Sequence, residues 1–579
     1  MGADIALGYT LCVCSGEAPI GWWVVDPDAL ARHIAQLAQS LVTEREPAST
    51  VSVGPDDVAL ERPKRVEFGD WASSLAMKLS GPLGIAPREV AAALKPLIEG
   101  IDGVASVDIA GPGFLNITLD AGALGDIARH ILESGDTFGH NDSLAGQKIN
   151  LEFVSANPTG PLHIGHTRWA ALGDSLARVL RAAGAEVTAE FYINDAGTQM
   201  VLFGQSVLAR ALGEDLPEGG YPGEYIDELA REVRAEFPEL ESMPRDEAVV
   251  CAREAAYQRQ LAAIRESLEK FNVVFDVWFS ERQLHVLSTP DGQSLIDQSV
   301  QRLRQAGHVF DLDDAVWVRT TDFGDDKDRV IRRANGVYTY FAADAAYYLS
   351  KKDRGCDIAI YLLGADHHGY VHRLKALAGA AGDDPERDIE ILIGQLVSVN
   401  GARLSKRAGN IIELDDLRDW LGTDALRYTL GRSPADSPLI IEPDILLRHS
   451  NDNPVYYVQY AHARTHQVNR NALAAGVDGS GFAAETLTHP SESELMTALA
   501  DYPRIVGQAA TLREPHRVAR YLEDLAGSYH RWYDSCRVTP RAEEIVEAVH
   551  HSRAVLNRAT GQVLANGLSL LGVSAPERM

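Results

Sequence analysis

Two histidines stand three residues apart in the stretch SANPTGPLHIGH, residues 155–166, with only Ile164 and Gly165 between them. An imidazole can donate a hydrogen bond to a phosphate oxygen, and a glycine beside it lets a ligand approach the backbone closely. The alternative is a turn that carries polar residues for its own geometry. His163 and His166 therefore predict either an anion-binding turn or an ordinary loop.

The flanking residues favour the anion-binding turn. Residues 149–153 alternate between apolar and polar, as do residues 187–193, and both patterns are typical of strands. Between them, apolar residues recur every three or four positions from 169 to 183, as in an amphipathic helix. His163 and His166 then lie at the turn into a helix, where unpaired N–H groups and the helix dipole attract anions.

A second pair of residues suits a cationic ligand. Tyr340 and Asp344 lie four residues apart, so they share one face if a helix begins there. A carboxylate beside an aromatic ring can hold a guanidinium or ammonium group through hydrogen bonds and cation–π contact. Taken alone, the two residues are equally consistent with a solvent-facing aspartate.

Two further segments place polar residues after apolar strands. Asp366 and His367 follow YLLG, at the strand end where open α/β sheets bind ligands. The adjacent histidines there point in different directions and lack ligand spacing, so no metal site is assigned. Ser405 and Lys406 lie on a glycine-flanked loop, GARLSKRAGN, whose basic side chains can reach a polyphosphate, although a solvated basic turn has the same pattern.

Composition narrows the class of protein. The 579 residues are 45% hydrophobic and 23% charged, values typical of a soluble globular chain, and we expect no membrane span. The five cysteines are scattered, which favours reduced thiols in the cytoplasm. A formal net charge of −28 excludes a protein that coats nucleic acid indiscriminately, but it permits a basic groove on an acidic body.

Patterning along the chain predicts an α/β protein built around a doubly wound, Rossmann-like parallel sheet. The predicted regions are a poorly defined N-terminal extension at 1–45, a small α+β domain at 46–146, the parallel-sheet domain at 147–414 with a helical insertion at about 205–280, and an all-α domain at 415–579.

Several long motifs occur in an order that resembles one family. SANPTGPLHIGHTRWAALGD, YINDAGTQ, GADHHGYVHRLKA, LGTDALRYTL and NPVYYVQYAHAR are similar to segments of the arginyl-tRNA synthetases, which belong to class I of the aminoacyl-tRNA synthetases. The resemblance runs from about residue 50 to the C-terminus. It implies a monomeric cytoplasmic ligase that makes arginyl-adenylate from arginine and ATP with Mg²⁺. The enzyme then transfers arginine to the 3′-terminal ribose of tRNA(Arg), releasing AMP and pyrophosphate.

The resemblance also implies roles for single residues. His163, His166 and Lys406 would be catalytic, the histidines on the ATP phosphates and the lysine on the pyrophosphate. Further implied contacts to ATP are Gly165, Asp366, His367 and Ser405, and implied contacts to arginine are Glu152, Asn157, Tyr340 and Asp344. The basic loop departs from the family pattern with Arg403 for Lys, which keeps the charge, and with Leu404 for Met.

The resemblance gives the flanking domains roles in tRNA binding as well. The small N-terminal domain would contact the tRNA elbow, and the helical domain would stack anticodon-loop bases. Candidate base contacts are Tyr456, Tyr457, Tyr460, Arg464, Trp532 and Tyr533.

Two other classes of protein remain as alternatives. One is a small-molecule adenylate-forming ligase of the pantothenate synthetase type, which shares the His-x-x-His turn but lacks the separate helical domain. The other is a catalytically inactive relative that only binds tRNA. Intact His163, His166 and Lys406 count against the second alternative.

Overall fold

The structure is a computed structural model that describes residues 27–46, 50–63, 68–290, 292–400, 412–541 and 544–579. Lys406 and Ser405 lie outside the described residues. The chain forms two compact units, and the C-terminal helices are divided between them. In the described part of the chain, no helix is long and apolar enough to cross a membrane. The first unit comprises the described residues up to Ser134 with Asn471–Arg504 and Trp532–Ala559, and the second comprises Gly135–Arg470, Ile505–Arg531 and Thr560–Met579.

The N-terminal part of the first unit is an α+β fold, as the sequence predicts. Its elements in chain order are α1 (Pro27–Arg45), α2 (Pro55–Val58), β1 (Trp71–Ser73), α3 (Leu75–Leu83), α4 (Pro87–Glu99), β2 (Val104–Ala110), β3 (Phe114–Leu119) and α5 (Ala121–Ser134).

An antiparallel sheet in the order β1-β3-β2 forms the centre of this fold. The hairpin of β2 and β3 confirms the paired strands expected on either side of Gly111–Gly113. Trp71 on β1 is buried, and the guanidinium carbon of Arg62 lies 3.8 Å from the centroid of its ring. The sheet therefore has a covered face with an aromatic anchor.

Helix α1 corrects the prediction of an extension at 1–45. Leu30, Ile34, Ala38 and Val42 repeat every four residues, and each is at most 1% exposed. Side chains at i and i+4 share one helix face, and this face is packed against the fold. The extension is therefore wrong for residues 27–45, while residues 1–26 lie outside the described chain.

The second unit contains the parallel sheet and the elements inserted into it. Up to residue 394 they are β4 (Lys148–Glu152), α6 (Ile164–Ala182), β5 (Glu186–Ile193), α7 (Thr198–Leu212), α8 (Glu224–Glu236), α9 (Arg245–Lys270), β6 (Val277–Ser280), α10 (Arg282–His285), α11 (Leu295–Gln305), β7 (Val309–Leu312), β8 (Ala315–Val318), β9 (Arg329–Arg332), α12 (Tyr340–Asp353), β10 (Ile358–Gly364), α13 (Val371–Ala380) and β11 (Ile389–Gly394).

The parallel sheet has the order β11-β10-β4-β5-β6, which confirms the doubly wound prediction. Chain order reverses between β4 and β10, and ligands bind at such a switch point, beyond the carboxyl ends of the strands. The turn of His163 and His166 follows β4, and the segment of Asp366 and His367 follows β10. The topology therefore brings both predicted segments to one edge.

Two details of this region differ from the prediction. The inserted helices α7–α9 run from Thr198 to Lys270, and β6 pairs with β5 as a strand of the main sheet. The predicted bounds of the insertion, about 205–280, therefore lie several residues after the observed ones at both ends. An additional antiparallel sheet, β7-β8-β9, lies between α11 and α12. Its strands of four residues are too short to give a clear alternation in the sequence.

The remaining elements are mainly helical, as predicted for 415–579. They are β12 (Val397–Val399), α14 (Leu414–Leu421), α15 (Thr423–Gly431), β13 (Leu439–Ile441), α16 (Pro443–Leu446), α17 (Pro454–Ala474), α18 (Pro490–Ala500), α19 (Tyr502–Thr511), α20 (His516–Ser535) and α21 (Ala548–Leu570). Strand β13, which pairs in parallel with β12, corrects the expectation that the region is entirely helical.

A buried ion pair joins α6 to α15. The Arg427 guanidinium is fully buried and donates to Oδ2 of Asp174 at 2.6 Å. It also donates to the carbonyl oxygens of Phe271, Asn272 and Leu571 at 3.0–3.1 Å. One side chain thus connects α6, the end of α9 and the turn after α21.

We expect Arg427→Met to lower the free energy of unfolding of the second unit by about 3–5 kcal/mol, because it removes one of the two arginine partners of the buried Asp174 carboxylate, the other being Arg178, and leaves several buried carbonyls without their donor. Urea unfolding followed by tryptophan fluorescence measures this change. Arg432→Met is the matched control, since Arg432 closes the same helix and pairs with Glu523 in a more exposed position, where a pair contributes about 0–1 kcal/mol. Equal losses in both variants would contradict the assignment.

Candidate active site

The histidine turn forms the N-terminus of α6, as the sequence predicts. His163 is the N-cap residue, with φ −111° and ψ 174°. Its Nδ1 accepts a hydrogen bond from the Gly165 N–H at 3.1 Å, while Nδ1 of His166 accepts from the His163 N–H at 3.3 Å. The two rings lie 3.9 Å apart between centroids. Each imidazole therefore accepts a backbone N–H of the turn that leads into α6.

This capping fixes which ring nitrogen can face a ligand. Because both Nδ1 atoms accept, the neutral rings carry their protons on Nε2. Burial lowers the pKa of His163, and burial together with the neighbouring His163 lowers the pKa of His166 to about 3. Near pH 7 the pair therefore offers two neutral Nε2–H donors, beside the unpaired N–H groups of a helix N-terminus.

Gly165 is required by the same arrangement. A Cβ at this position would lie 2.9 Å from Cε1 of His163. Any larger residue would push the His163 ring away from its capping position. The close approach of ring and backbone thus explains the glycine between the histidines.

The far end of the predicted basic loop is anchored at this turn. The Ile164 N–H donates to the Ile412 carbonyl at 2.9 Å, and the Leu414 N–H donates to the Leu162 carbonyl at 2.8 Å. His163 and Glu413 form the bridge between these two bonds. The residues directly after 401–411, the segment that holds Ser405 and Lys406, are therefore paired with the histidine turn.

Beyond β10 the chain enters a 3-10 helix, Ala365–Tyr370. This places Asp366 and His367 at the carboxyl end of the strand, as predicted, although the side chain of Asp366 lies outside the described part of the structure. His367 is exposed, and its ring packs edge-on to Tyr370 at 6.4 Å. Among the described residues, no group of three or more His, Cys, Asp or Glu is placed to hold a metal ion.

Asp344 lies at the same edge, in the first turns of α12. Its Oδ2 accepts a hydrogen bond from the hydroxyl of Tyr370. Burial raises the pKa of Asp344 to about 7, with Glu152 and Glu281 acting in the same direction and Tyr370 and Arg373 opposing it. The result is a carboxylate in an acidic, partly desolvated pocket, which is an environment that favours a cationic ligand.

Glu152 is already paired within this pocket. The buried ammonium of Lys351 donates to its Oε2 at 2.7 Å, and Ser155 donates to its Oε1 at 3.0 Å. Lys351 also lies over the ring of Tyr361 at 4.1 Å from the centroid. Glu152 therefore has a built-in counterion, and Asp344 has a hydroxyl partner.

The other two residues expected to contact arginine are Asn157, which follows β4, and Tyr340, which begins α12. Asn157 donates its side-chain amide to Gln199 at 2.5 Å. Tyr340 begins α12, as expected, and is 77% exposed, whereas Asp344 one turn later is half-buried. The helix start is confirmed, while the two side chains face different environments.

Sequence reasoning missed two carboxylates of the pocket. Glu281 and Asp195 are buried, and Tyr192 donates to Glu281. Burial, followed by the charge of Asp195, raises the pKa of Glu281. Glu281 directly follows β6, and Asp195 lies two residues after β5. Their position at the carboxyl ends of strands was the signal in the sequence that could have identified them.

The chain matches known proteins along most of its length. Family models match residues 28–119 as "Arginyl tRNA synthetase N terminal domain", residues 128–428 as "tRNA synthetases class I (R), catalytic domain" and residues 458–579 as "DALR anticodon binding domain". The arginine–tRNA ligase of Renibacterium salmoninarum is 61% identical over 553 residues, covering 96% of this chain and 100% of that protein. The arginine–tRNA ligase of Paenarthrobacter aurescens is 60% identical with the same coverage.

A solved structure shares the fold. The Thermus thermophilus arginyl-tRNA synthetase superposes with a TM-score of 0.72 at 22% identity, covering 94% of this chain and 100% of that one. The catalytic-domain model that matches residues 128–428 identifies the parallel sheet with its His-x-x-His turn as that of a class I aminoacyl-tRNA synthetase. Within that class, the chain belongs to the arginyl-tRNA synthetase family. This confirms the resemblance and excludes a ligase of the pantothenate synthetase type.

We expect His166 to stay neutral from pH 8 down to pH 5, because its folded pKa is about 3. The unfolded chain takes up a proton near pH 6.5 that the folded site refuses, so stability falls as the pH drops from about 6.5 towards 3. Deuterium exchange at the imidazole C2 position, measured by mass spectrometry, reports the titration. A peptide of residues 155–172 is the control and should titrate near pH 6.5, and an inflection between pH 6 and 7 in the folded protein would contradict the expectation.

Proposed function

We propose that this chain is an arginine–tRNA ligase that works in two steps. Arginine and ATP give arginyl-adenylate and pyrophosphate, and the arginyl group then passes to the terminal ribose of tRNA(Arg) with release of AMP. The observation that carries the proposal is the meeting of an anion-binding turn, His163 and His166, with the acidic pocket of Asp344 at one edge of the sheet. ATP needs the first and arginine needs the second.

In the first step the protein's task is positioning and charge stabilisation. The Nε2–H groups of His163 and His166 donate to phosphate oxygens, and the N-terminus of α6 adds its dipole. Lys406, on the segment that leads to the pairing at residues 412–414, neutralises the pyrophosphate leaving group. Asp366, His367, Gly165 and Ser405 complete the ATP contacts, and Mg²⁺ arrives on the ATP phosphates as part of the substrate.

Arginine is recognised at both of its ends. Asp344 accepts the guanidinium, Glu152 contributes through its ordered carboxylate, and Tyr340 covers the side chain from the start of α12. Asn157 lies after β4, where it can bind the polar α-carbon groups. The half-buried, acidic pocket supports this assignment, because a neutral analogue would leave the Asp344 carboxylate without a cationic partner.

Transfer RNA binds along the flanking domains. The N-terminal domain takes the elbow and the helical domain takes the anticodon loop. On α17 the rings of Tyr456 and Tyr460 lie parallel at 5.9 Å, His449 stacks on Tyr456 at 5.5 Å, and Arg464 lies over Tyr460 at 4.7 Å. Such a row suits base stacking. Trp532, by contrast, is fully buried and is a core residue, which corrects its candidacy as a base contact.

The enzyme acts as a monomer in the cytoplasm. The regions 27–146, 147–414 and 415–579 serve as elbow-binding, catalytic and anticodon-binding domains. The domain assignments rest on the positions of the matching family models.

We expect His163→Ala, His166→Ala and Lys406→Ala each to lower the aminoacylation rate by roughly two to four orders of magnitude, the usual loss of a transition-state contact. Steady-state charging of tRNA with labelled arginine measures it. His489→Ala is the matched control, because His489 caps α18 through Nδ1 in the same way as His163 caps α6. It should lose no more than about twofold in rate.

Near-normal rates in all of the site variants would remove these residues from catalysis. A wild-type enzyme without any charging activity would instead support the alternative of an inactive tRNA-binding relative.

We expect Asp344→Asn to raise the KM for arginine by roughly 100-fold or more while changing the KM for ATP little, because it removes the charge that pairs with the guanidinium. Charging assays with each substrate varied in turn measure the two constants. Asp297→Asn is the control, since Asp297 also accepts a tyrosine hydroxyl, from Tyr338 at 2.5 Å, but caps α11. A change confined to the KM for ATP would place Asp344 in another part of the site.

A further inference from the structure

Tyr370 connects the turn beyond β10 with the acidic pocket. It is the last residue of the 3-10 helix Ala365–Tyr370 and the N-cap of α13. Its hydroxyl donates to Oδ2 of Asp344, and the guanidinium carbon of Arg373 lies 4.6 Å from the centroid of its ring. The phenol is therefore held on one side by a cation and on the other by the carboxylate.

The charged groups around Asp344 make this hydroxyl important. From the parallel sheet, Glu152 faces Asp344 with its charge balanced by Lys351. From the segment after β6, Glu281 adds a second acidic group, and Tyr192 on β5 lies within the same electrostatic environment. Arg373 on α13 is the cation that opposes them. Burial and the two glutamates therefore disfavour an ionised Asp344, whereas the Tyr370 hydroxyl and Arg373 favour it.

We propose that Tyr370 is a positioning residue for arginine recognition, which orients the Asp344 carboxylate towards the guanidinium through the hydroxyl hydrogen bond. The inference rests on the proposed function, because it assigns to Asp344 the guanidinium contact. Tyr370 itself acts through Asp344 and need not touch the substrate.

A donor to one carboxylate oxygen has two consequences. It restricts rotation of the carboxyl group, so that the other oxygen keeps a fixed direction for a forked donor. It also stabilises the charged form, which is why the Tyr370 hydrogen bond works against the burial that raises the pKa of Asp344 to about 7. Without the hydroxyl, that pKa rises further and less of Asp344 is ionised at neutral pH.

Tyr370→Phe tests the proposal, since it removes the hydroxyl and keeps the ring on Arg373. At pH 7 we expect the KM for arginine to rise roughly 10- to 100-fold, as for loss of a hydrogen bond to a charged group, with the KM for ATP within about twofold. Charging assays from pH 6 to 9 should show the loss growing towards acid and shrinking by pH 9, where Asp344 is ionised in both enzymes. Tyr338→Phe is the matched control, because its hydroxyl donates to Asp297.

The same substitution in the Asp344→Asn variant distinguishes action through Asp344 from a merely structural role of Tyr370. In Asp344→Asn the amide does not titrate, so adding Tyr370→Phe should no longer shift the pH dependence of the KM for arginine. An equal shift in both backgrounds, or no change in that KM or its pH dependence in Tyr370→Phe alone, would overturn the inference while leaving the ligase assignment intact. A wild-type enzyme that charges no tRNA with arginine would overturn the proposed function instead.

Discussion

The site depends on how closely α6 packs onto the parallel sheet. A Cβ on Gly173 would lie 2.2 Å from Cγ of Phe153, and a Cβ on Gly394 would lie 1.3 Å from the Trp169 ring. Glycine at both positions lets helix and sheet approach to a distance that no side chain would allow. Since the histidines occupy the first turn of this helix, its distance from the sheet sets where their Nε2 atoms point. The buried Arg427 and Asp174 then hold the helix from its outer side.

Charge balance is the second constraint, and it is local. Two buried glutamates of the sheet have their own cations, Glu152 with Lys351 and Glu190 with Arg354. Burial alone would raise the pKa of Glu190, but hydrogen bonds from Arg354 and the charge of the nearby Lys351 hold it below its usual range. Asp344 has a hydroxyl partner and a more distant arginine, so it is the carboxylate of this group best placed to gain from an incoming cation.

The sequence predicted what is encoded locally. The strand–helix–strand unit around His163, the start of α12 at Tyr340 and the hairpin of β2 and β3 all follow from periodicity over a few residues. Long-range pairs could not be found this way. Lys351 meets Glu152 across 199 residues, and Tyr370 meets Asp344 only because α12 packs beside the turn after β10. Periodicity identifies which face of an element is buried, but it does not identify the partner on the other side.

Short elements were lost for a related reason. Strands β7 to β13 include several of three or four residues, whose placement depends on their neighbours more than on their own alternation. Helix α1 carries no family motif, and its apolar repeat at Leu30, Ile34, Ala38 and Val42 was the signal in the sequence that could have identified it.

The neutral state of the two histidines has a consequence for turnover. A site that binds phosphates through fixed positive charge also binds the released pyrophosphate tightly, because pyrophosphate carries more charge per atom than bound ATP. Neutral donors orient the bound phosphate through short-range hydrogen bonds and add no long-range attraction. The attraction between these donors and a departing anion therefore weakens steeply once the hydrogen bonds lengthen. In the proposed reaction, the burial that keeps His163 and His166 unprotonated would let the N-terminus of α6 assist bond breaking without adding positive charge that holds the product.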